Sequence, residues 1–217
     1  MARKKIEPAK PKVGRPRANP NQTDQSAREE ILTEARRLFR QQGFKGTSTR
    51  EIAEAAGLRQ PSLFHYFKNK NEIFRAVVSQ TVEPVIAFIQ AEAKRDDPID
   101  VALYRLVRYD TYHLCTNENV IGSPFQFPEL TEESQPEFWA MREQIIDAYR
   151  RHLRLGKKQG VFEFGNLEMV TQFLFSIGES TLTWYQKDRS RYNAEIVADT
   201  AADLALRAVM ADPKVAR

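Results

Sequence analysis

Along most of the chain, apolar residues recur three and four positions apart, the spacing of one buried face of an α-helix. No stretch alternates apolar and polar residues as a half-buried strand would, so the pattern predicts an all-α fold. Ile31, Leu32, Ala35, Leu38 and Phe39 mark a helix over 26–42, with Ser26 and Glu29 at capping-box spacing and Gly43 as its stop. Ile52, Ala53 and Ala56 mark a second helix starting at about Thr49, behind another such box at Ser48 and Glu51, with Gly57 after it. Pro61 suits the first position of a third helix, which makes Gln60 its N-cap. Asn69 and Glu72 open a long helix through about Lys94, buried along Ile73, Phe74, Val77 and Val78. Pro84 lies in its interior, where a lost hydrogen bond and a steric clash predict a kink or break. Further helices are predicted over 99–116 and 135–159, the latter opened by Ser134, Pro136 and Glu137 and stopped by Gly160. Asn166 caps a helix through about Lys187, and Asn193 one to Ala211. Residues 117–134 read as a loop in which a short helix is compatible with the sequence.

The two short helices around Gly57 have the layout of a helix-turn-helix. In that motif the N-terminal end of the second helix points at base edges in the major groove. Gln60 and Ser62 occupy that end, and Arg50 stands at the start of the first helix. Gln60 has the donor and acceptor pair that suits adenine, and Arg50 the fork that suits guanine.

The whole run is richer than a generic helical hairpin. Thr49-Arg50-Glu51-Ile52-Ala53, Ala56-Gly57, Gln60-Pro61-Ser62-Leu63-Phe64-His65-Tyr66-Phe67 and Lys68-Asn69-Lys70 resemble the DNA-binding domain of the tetracycline-repressor (TetR) family of bacterial regulators. The resemblance implies an N-terminal three-helix DNA-binding domain over 25–70. It also implies a larger C-terminal helical domain over 71–217 that binds a ligand and forms a homodimer, and an operator of double-stranded DNA from which an effector releases the protein. It adds Pro61, Phe64, His65, Tyr66 and Lys70 to the DNA-side residues. Many members carry Tyr at the position of Phe64, where the phenol helps hold a phosphate; Phe64 lacks that hydroxyl. Ser176-Ile177-Gly178 through Trp184-Tyr185, then Asn193-Ala194-Glu195, resemble the region in which two helices per subunit build the family's dimer. Leu182, Tyr185, Val197, Ala201, Leu204, Ala205 and Ala208 are the interface residues so implied. The same apolar helices also fit a core within one chain.

Charge changes the picture at one end only. The 217 residues carry a net +4, but Arg3, Lys4, Lys5, Lys10, Lys12, Arg15 and Arg17 face only Glu7 within residues 1–20. Four prolines and few apolar residues predict a disordered basic arm over 1–24 whose partner is an anionic polymer. Gly14-Arg15-Pro16-Arg17 resembles an AT-hook core, so Arg15 and Arg17 are candidates for a narrow minor groove. A solvated tail that raises non-specific affinity fits equally well. Cys115 is alone, no apolar run has the length of a membrane helix, and no signal peptide opens the chain. A cytoplasmic protein with no membrane partner is expected.

The C-terminal helices place polar groups on otherwise apolar stripes. Asp110 and His113 continue the stripe of Leu103 and Leu106; Phe138, Arg142, Ile145, Tyr149 and His152 share another, with Trp139 beside it. With Phe127, Phe173, Ile177 and Trp184 these suggest a mostly apolar pocket for a small apolar or aromatic effector, with Asp110, His113 and Arg142 orienting a hydroxyl or acid group. An ordinary helical core with satisfied polar residues has the same look. None of the three histidines falls in a hydrolase or metalloprotease pattern, no glycine-rich phosphate loop follows a strand, and neither cofactor nor metal is implied. The reading is therefore a regulator and not an enzyme. An effector-independent architectural DNA-binding protein is the alternative, and the size of the second domain argues against it.

Overall fold

A computed structural model describes residues 24–117, 120, 131–185 and 191–211. Among these, eight helices occur: α1 (Asp24–Gly46), α2 (Thr49–Ala55), α3 (Gln60–Leu63), α4 (Lys70–Glu92), α5 (Ile99–Thr116), α6 (Pro136–Lys158), α7 (Leu167–Trp184) and α8 (Ala194–Val209). The fold is all-α; the only strand-like feature among the described residues is one antiparallel bridge between Phe162 and Met210. The arm with Arg15 and Arg17, and the loop with Phe125 and Phe127, lie outside the described residues.

Helices α1–α3 close on the first turns of α4. Ile31, Leu32, Ala35 and Phe39 meet Ile52, Ala53, Leu63, Phe67, Ile73, Phe74 and Val77 in one buried cluster. Phe74 packs edge-on against Phe39 and Phe44, whose own rings are tilted by 39°, with centroids 4.9–5.6 Å apart. Such contacts contribute about 0.5–1.5 kcal/mol each beyond area burial. Gly43 does interrupt the first helix, at φ 75° and ψ 171°, but helical turns resume to Gly46. At the end of α2, Leu58 N–H donates to Ala53 O at 2.8 Å and Gly57 N–H to Glu54 O at 3.1 Å. Gly57, at φ 67°, permits this closure, because a side chain there would be strained.

Three boundaries differ from the sequence reading. Arg59, not Gln60, is the N-cap of α3, so Gln60 and Pro61 are its first two residues. That frees the Gln60 side chain to act elsewhere. Gln135, not Ser134, precedes α6, while Ser134 closes a turn with Thr131. Pro84 does not break α4, which runs helical from Lys70 to Glu92. Proline has no N–H to offer the carbonyl four residues back, that of Gln80. Asn117 at the end of α5 reaches this oxygen with its amide at 3.4 Å, and His113 Nε2 lies 2.8 Å from the next carbonyl, Thr81 O. Asn117 thus reaches the carbonyl that Pro84 leaves without its helical donor.

Helix α5 is the centre of the second unit, packed on α4, α6, α7 and most extensively α8. The contact with α8 is close because α8 turns Ala198, Ala201, Ala202 and Ala205 inward. The α6–α7 corner is closed equally tightly. A Cβ on Gly156 would stand 2.0–2.8 Å from ring atoms of the buried Phe162. The backbone beside that ring is held by Glu163 N–H on Val209 O at 2.8 Å and Ala211 N–H on Val161 O at 3.1 Å. Gly156→Ala is therefore expected to destabilise the fold by about 1–3 kcal/mol through overpacking. Thermal unfolding should show a Tm several degrees lower, partly recovered by adding Phe162→Leu; an unchanged Tm would contradict the close approach.

Candidate nucleic-acid interface and effector site

The N-terminal site is built on α2 and α3. Ser48 Oγ accepts from Glu51 N–H at 3.1 Å and Glu51 returns to Ser48 N–H at 2.7 Å, so the start of α2 is fixed by a complete capping box. Helix α3 buries Leu63 and leaves Pro61, Phe64 and His65 exposed on its opposite side. Phe64 is 45% exposed, a large apolar group on an otherwise polar face. Gln60 is half-buried and donates through Nε2 to Thr49 Oγ1 at 2.9 Å, which ties the start of α3 to the start of α2. Arg50 is exposed and pairs with Glu54 at 2.9 Å; a pair this open is weak and can be exchanged for another acceptor. Ser62 and Tyr66 are half-buried.

Lys70 is placed differently from the other DNA-side residues. Its Nζ donates to Phe44 O at 2.7 Å and Thr47 O at 2.8 Å and sits 4.3 Å from the centroid of the Phe44 ring. It clamps the corner between α1 and α2. Arg59 and Thr49, which the sequence reading passed over, stand at the start of α3 and beneath Gln60.

The second site lies between α5, α6 and α7. Arg142 donates through Nε and Nη2 to both carboxylate oxygens of Glu179, at 2.9–3.1 Å. Its guanidinium lies 4.7 Å from the Phe175 ring centroid and 5.4 Å from that of Trp139. Both partners are almost wholly buried. Tyr149 donates its phenol proton to Asp110 Oδ2 at 2.8 Å, and both residues are buried. Burial pushes the Asp110 carboxyl up to about 7; the Tyr149 bond and Arg142 oppose the shift, and Glu179 adds to it. Thr111 Oγ1 and Gln135 Oε1 are buried without a hydrogen-bond partner. Phe138 is buried, while Trp139 and Ile177 are half-buried against the core.

Several expected residues fall elsewhere. Phe173 is 65% and Trp184 43% exposed, on the outward side of α7, so neither lines an interior pocket. Burial lowers the pKa of His113 below its usual value, and its ring is engaged by the α4 backbone at Thr81. Of the implied interface, Leu182, Tyr185, Ala201 and Ala205 are buried within the protomer and have no surface to offer a second copy. Ala201 and Ala205 are among the small residues by which α8 approaches α5. Leu204 and Ala208 are exposed and Val197 is half-buried. Met169, Phe173 and Trp184 of α7 form an outward apolar stripe, and Ile196 and Leu204 of α8 form another. Thr111, at the position after Asp110, was missed as a site residue.

A short exposed helix on a three-helix unit, joined by one continuous helix to a larger unit with a buried polar centre, defines a two-part helix-turn-helix protein. The model for bacterial regulatory proteins of the tetR family matches residues 31–77, and the tetracyclin repressor-like C-terminal domain matches residues 100–209. The chain belongs to the TetR family, and its matched models and relatives are regulators, not enzymes. The regulator AcrR of Shigella flexneri is 43% identical over 56 residues, 26% of this chain and 26% of that protein. The chain thus spans about a quarter of the length of this curated relative. AmtR of Mycobacterium smegmatis is 28% identical with a TM-score of 0.72, over 88% of this chain and 89% of that one. AibR, solved in complex with isovaleryl coenzyme A and operator DNA, is 19% identical with a TM-score of 0.70, over 82% of this chain and 97% of that one. At that identity the likeness shows the fold alone. No helix of the described residues is long and apolar enough to cross a membrane.

The raised Asp110 pKa has a definite consequence for stability. An acid whose pKa is higher folded than unfolded binds a proton on folding. Its contribution is full below about pH 4 and is lost as pH rises to about 7. Asp110→Asn should flatten the fall in Tm across that window; an unaltered pH profile would place the titration elsewhere. Arg142→Ala should cost about 3–5 kcal/mol, because it leaves Glu179 buried without its cation.

Proposed function

We propose that the protein is a ligand-responsive transcriptional repressor that binds an inverted-repeat operator as a homodimer and leaves it when a small molecule enters the second unit. The observation that carries this reading is the exposed face of α3, positioned by the Gln60–Thr49 bond and the Lys70 clamp on a rigid three-helix unit. Base edges would be read by Arg50, Gln60 and Ser62, with Pro61, Phe64, His65 and Tyr66 on the surrounding surface. Lys70 acts in this reading chiefly by holding the α1–α2 corner. The arm with Arg15 and Arg17 adds counterion-releasing contacts.

The apolar stripes on α7 and α8 support a second copy as partner. Several large exposed apolar side chains on one side of a chain often mark a surface that another molecule covers. Paired half-sites in the major groove require paired readers, which a two-fold dimer supplies. AibR, which shares the fold, was solved with both an acyl-coenzyme A and operator DNA. The buried polar centre between α5, α6 and α7 is the corresponding sensor in this reading, linked to the DNA-reading unit by α4. A ligand acts there only through its different affinity for the two head spacings.

Selection of duplexes from a random pool by the full-length protein should enrich an inverted repeat. Enrichment of no sequence would contradict the regulator reading. Gln60→Ala should cost about 1–3 kcal/mol on the selected site and relax preference at one base pair per half-site; unchanged preference would remove Gln60 from the readers. Leu204→Glu, a change at a 57% exposed position, should give a folded monomer by sedimentation and abolish tight operator binding. A dimer that persists would place the interface on another face.

A further inference from the structure

The buried centre between α5, α6 and α7 is short of positive charge. It holds two carboxylates, Asp110 and Glu179, and one guanidinium, Arg142. Glu179 already takes that guanidinium through both of its oxygens. Among the described residues, Asp110 accepts only from the phenol of Tyr149, on one oxygen. At the next position on α5, Thr111 Oγ1 is buried with no hydrogen-bond partner among the described residues, and a Cβ on Gly178, the residue before Glu179, would stand 3.1 Å from it. Buried polar groups are ordinarily paired, so an unpaired hydroxyl next to a singly bonded buried acid points to a missing partner. Aromatic groups border the cluster: Trp139 and Phe175 lie against the Arg142 guanidinium, and Phe175 packs edge-on against Tyr149.

We propose that the cluster of Asp110, Thr111, Tyr149 and Glu179 is the binding site for a small organic cation, a protonated amine with an apolar or aromatic body. This rests on the reading of the second unit as a sensor and names the chemistry of its ligand. The ammonium donates to the Asp110 carboxylate and Thr111 Oγ1, and the body lies against the aromatic side chains of α6 and α7. An acid would have to break the two-oxygen grip of Glu179 on Arg142 and would add a third carboxylate to a centre with one cation. An uncharged ligand would leave the Asp110 charge uncompensated. The proton balance is explicit: below about pH 7 the Asp110 carboxyl is protonated, and amine binding releases that proton to solvent. Affinity therefore weakens roughly tenfold per pH unit on the acid side of that value and levels off above it. Arg142, Glu179 and Tyr149 are the charged and titratable groups acting on Asp110 from α6 and α7.

The test is calorimetric titration of the full-length protein with 2-phenylethylamine and hexylamine, against 3-phenylpropanoate, hexanoate and 2-phenylethanol, at pH 5.5 and 7.5. The amines should bind more tightly than the matched acids and alcohol, and more tightly at pH 7.5 than at pH 5.5. Asp110→Asn, with a native circular dichroism spectrum, should weaken the amines at least tenfold and abolish their pH dependence. Thr111→Val, which keeps the shape and removes the hydroxyl, should weaken them severalfold. Tighter binding of the acids, no binding of either amine, or amine affinity untouched by Asp110→Asn would overturn the proposal. Operator binding, read separately, distinguishes the two readings. Amine binding that leaves operator affinity unchanged supports the site and contradicts ligand-controlled repression.

Discussion

Proline inside a helix normally separates what lies before it from what lies after, and here it does not. Pro84 removes the donor for Gln80 O; the Asn117 amide reaches that oxygen at 3.4 Å, and His113 Nε2 lies 2.8 Å from the next carbonyl, Thr81 O. His113 Nε2 also lies 2.9 Å from Asn117 Nδ2, so the two side chains and the two carbonyls form one linked group, and burial lowers the histidine pKa. Phe88 stacks on Tyr109 at 3.9 Å and 3°, four residues along each helix from Pro84 and His113. The result is one unbroken helix about 34 Å long, from the clamp at Lys70 to Glu92. Its first turns belong to the helix-turn-helix core and its middle is completed by α5. Whatever shifts α5 must therefore disturb α4 or abandon the contacts of Asn117 and His113 with its carbonyls.

Helix α5 also carries Asp110 and Thr111, one and less than one turn before His113. The same helix thus presents one set of polar groups to the buried centre and another to the α4 backbone. On its far side α8 is pressed against it by alanines, while Ile196 and Leu204 of α8 and Met169, Phe173 and Trp184 of α7 point outward. This division explains two features together: a tight protomer core and an uncovered apolar surface. Swapping the two α8 stripes would lose both, because Leu and Ile are too large for the α5 contact and alanines too small to hold a partner.

Local signals in the sequence were reliable wherever a few neighbouring residues determine the geometry. Ser48 with Glu51, Asn69, Gly57, Asn166 and Asn193 all perform the capping or turn roles that their spacing predicts. The all-α fold and the family were legible for the same reason. What was not legible depends on partners far away in the chain. Nothing near Pro84 shows that Asn117 will replace its missing donor, 37 residues from Gln80. Apolar spacing on α8 identifies two usable faces but not which one meets α5, so Ala205 and Leu204 were grouped together although one is buried and the other exposed. Arg142 looked like a free anchor for an acid because its partner, Glu179, lies on another helix. Lys70 resembled a phosphate contact because its two carbonyl acceptors lie more than 20 residues earlier.

Communication between the C-terminal unit and the helix-turn-helix unit through the Pro84 joint is the claim on which this account stands. Hydrogen–deuterium exchange of the full-length protein, free and bound to its selected operator duplex, tests it without need of an effector. Binding at α3 should slow exchange not only in α1–α3 but also in the last two turns of α5, residues 110–117. The effect there should vanish in a folded His113→Ala protein. Protection confined to α1–α3 and the first turns of α4, with residues 110–117 unchanged, would contradict it.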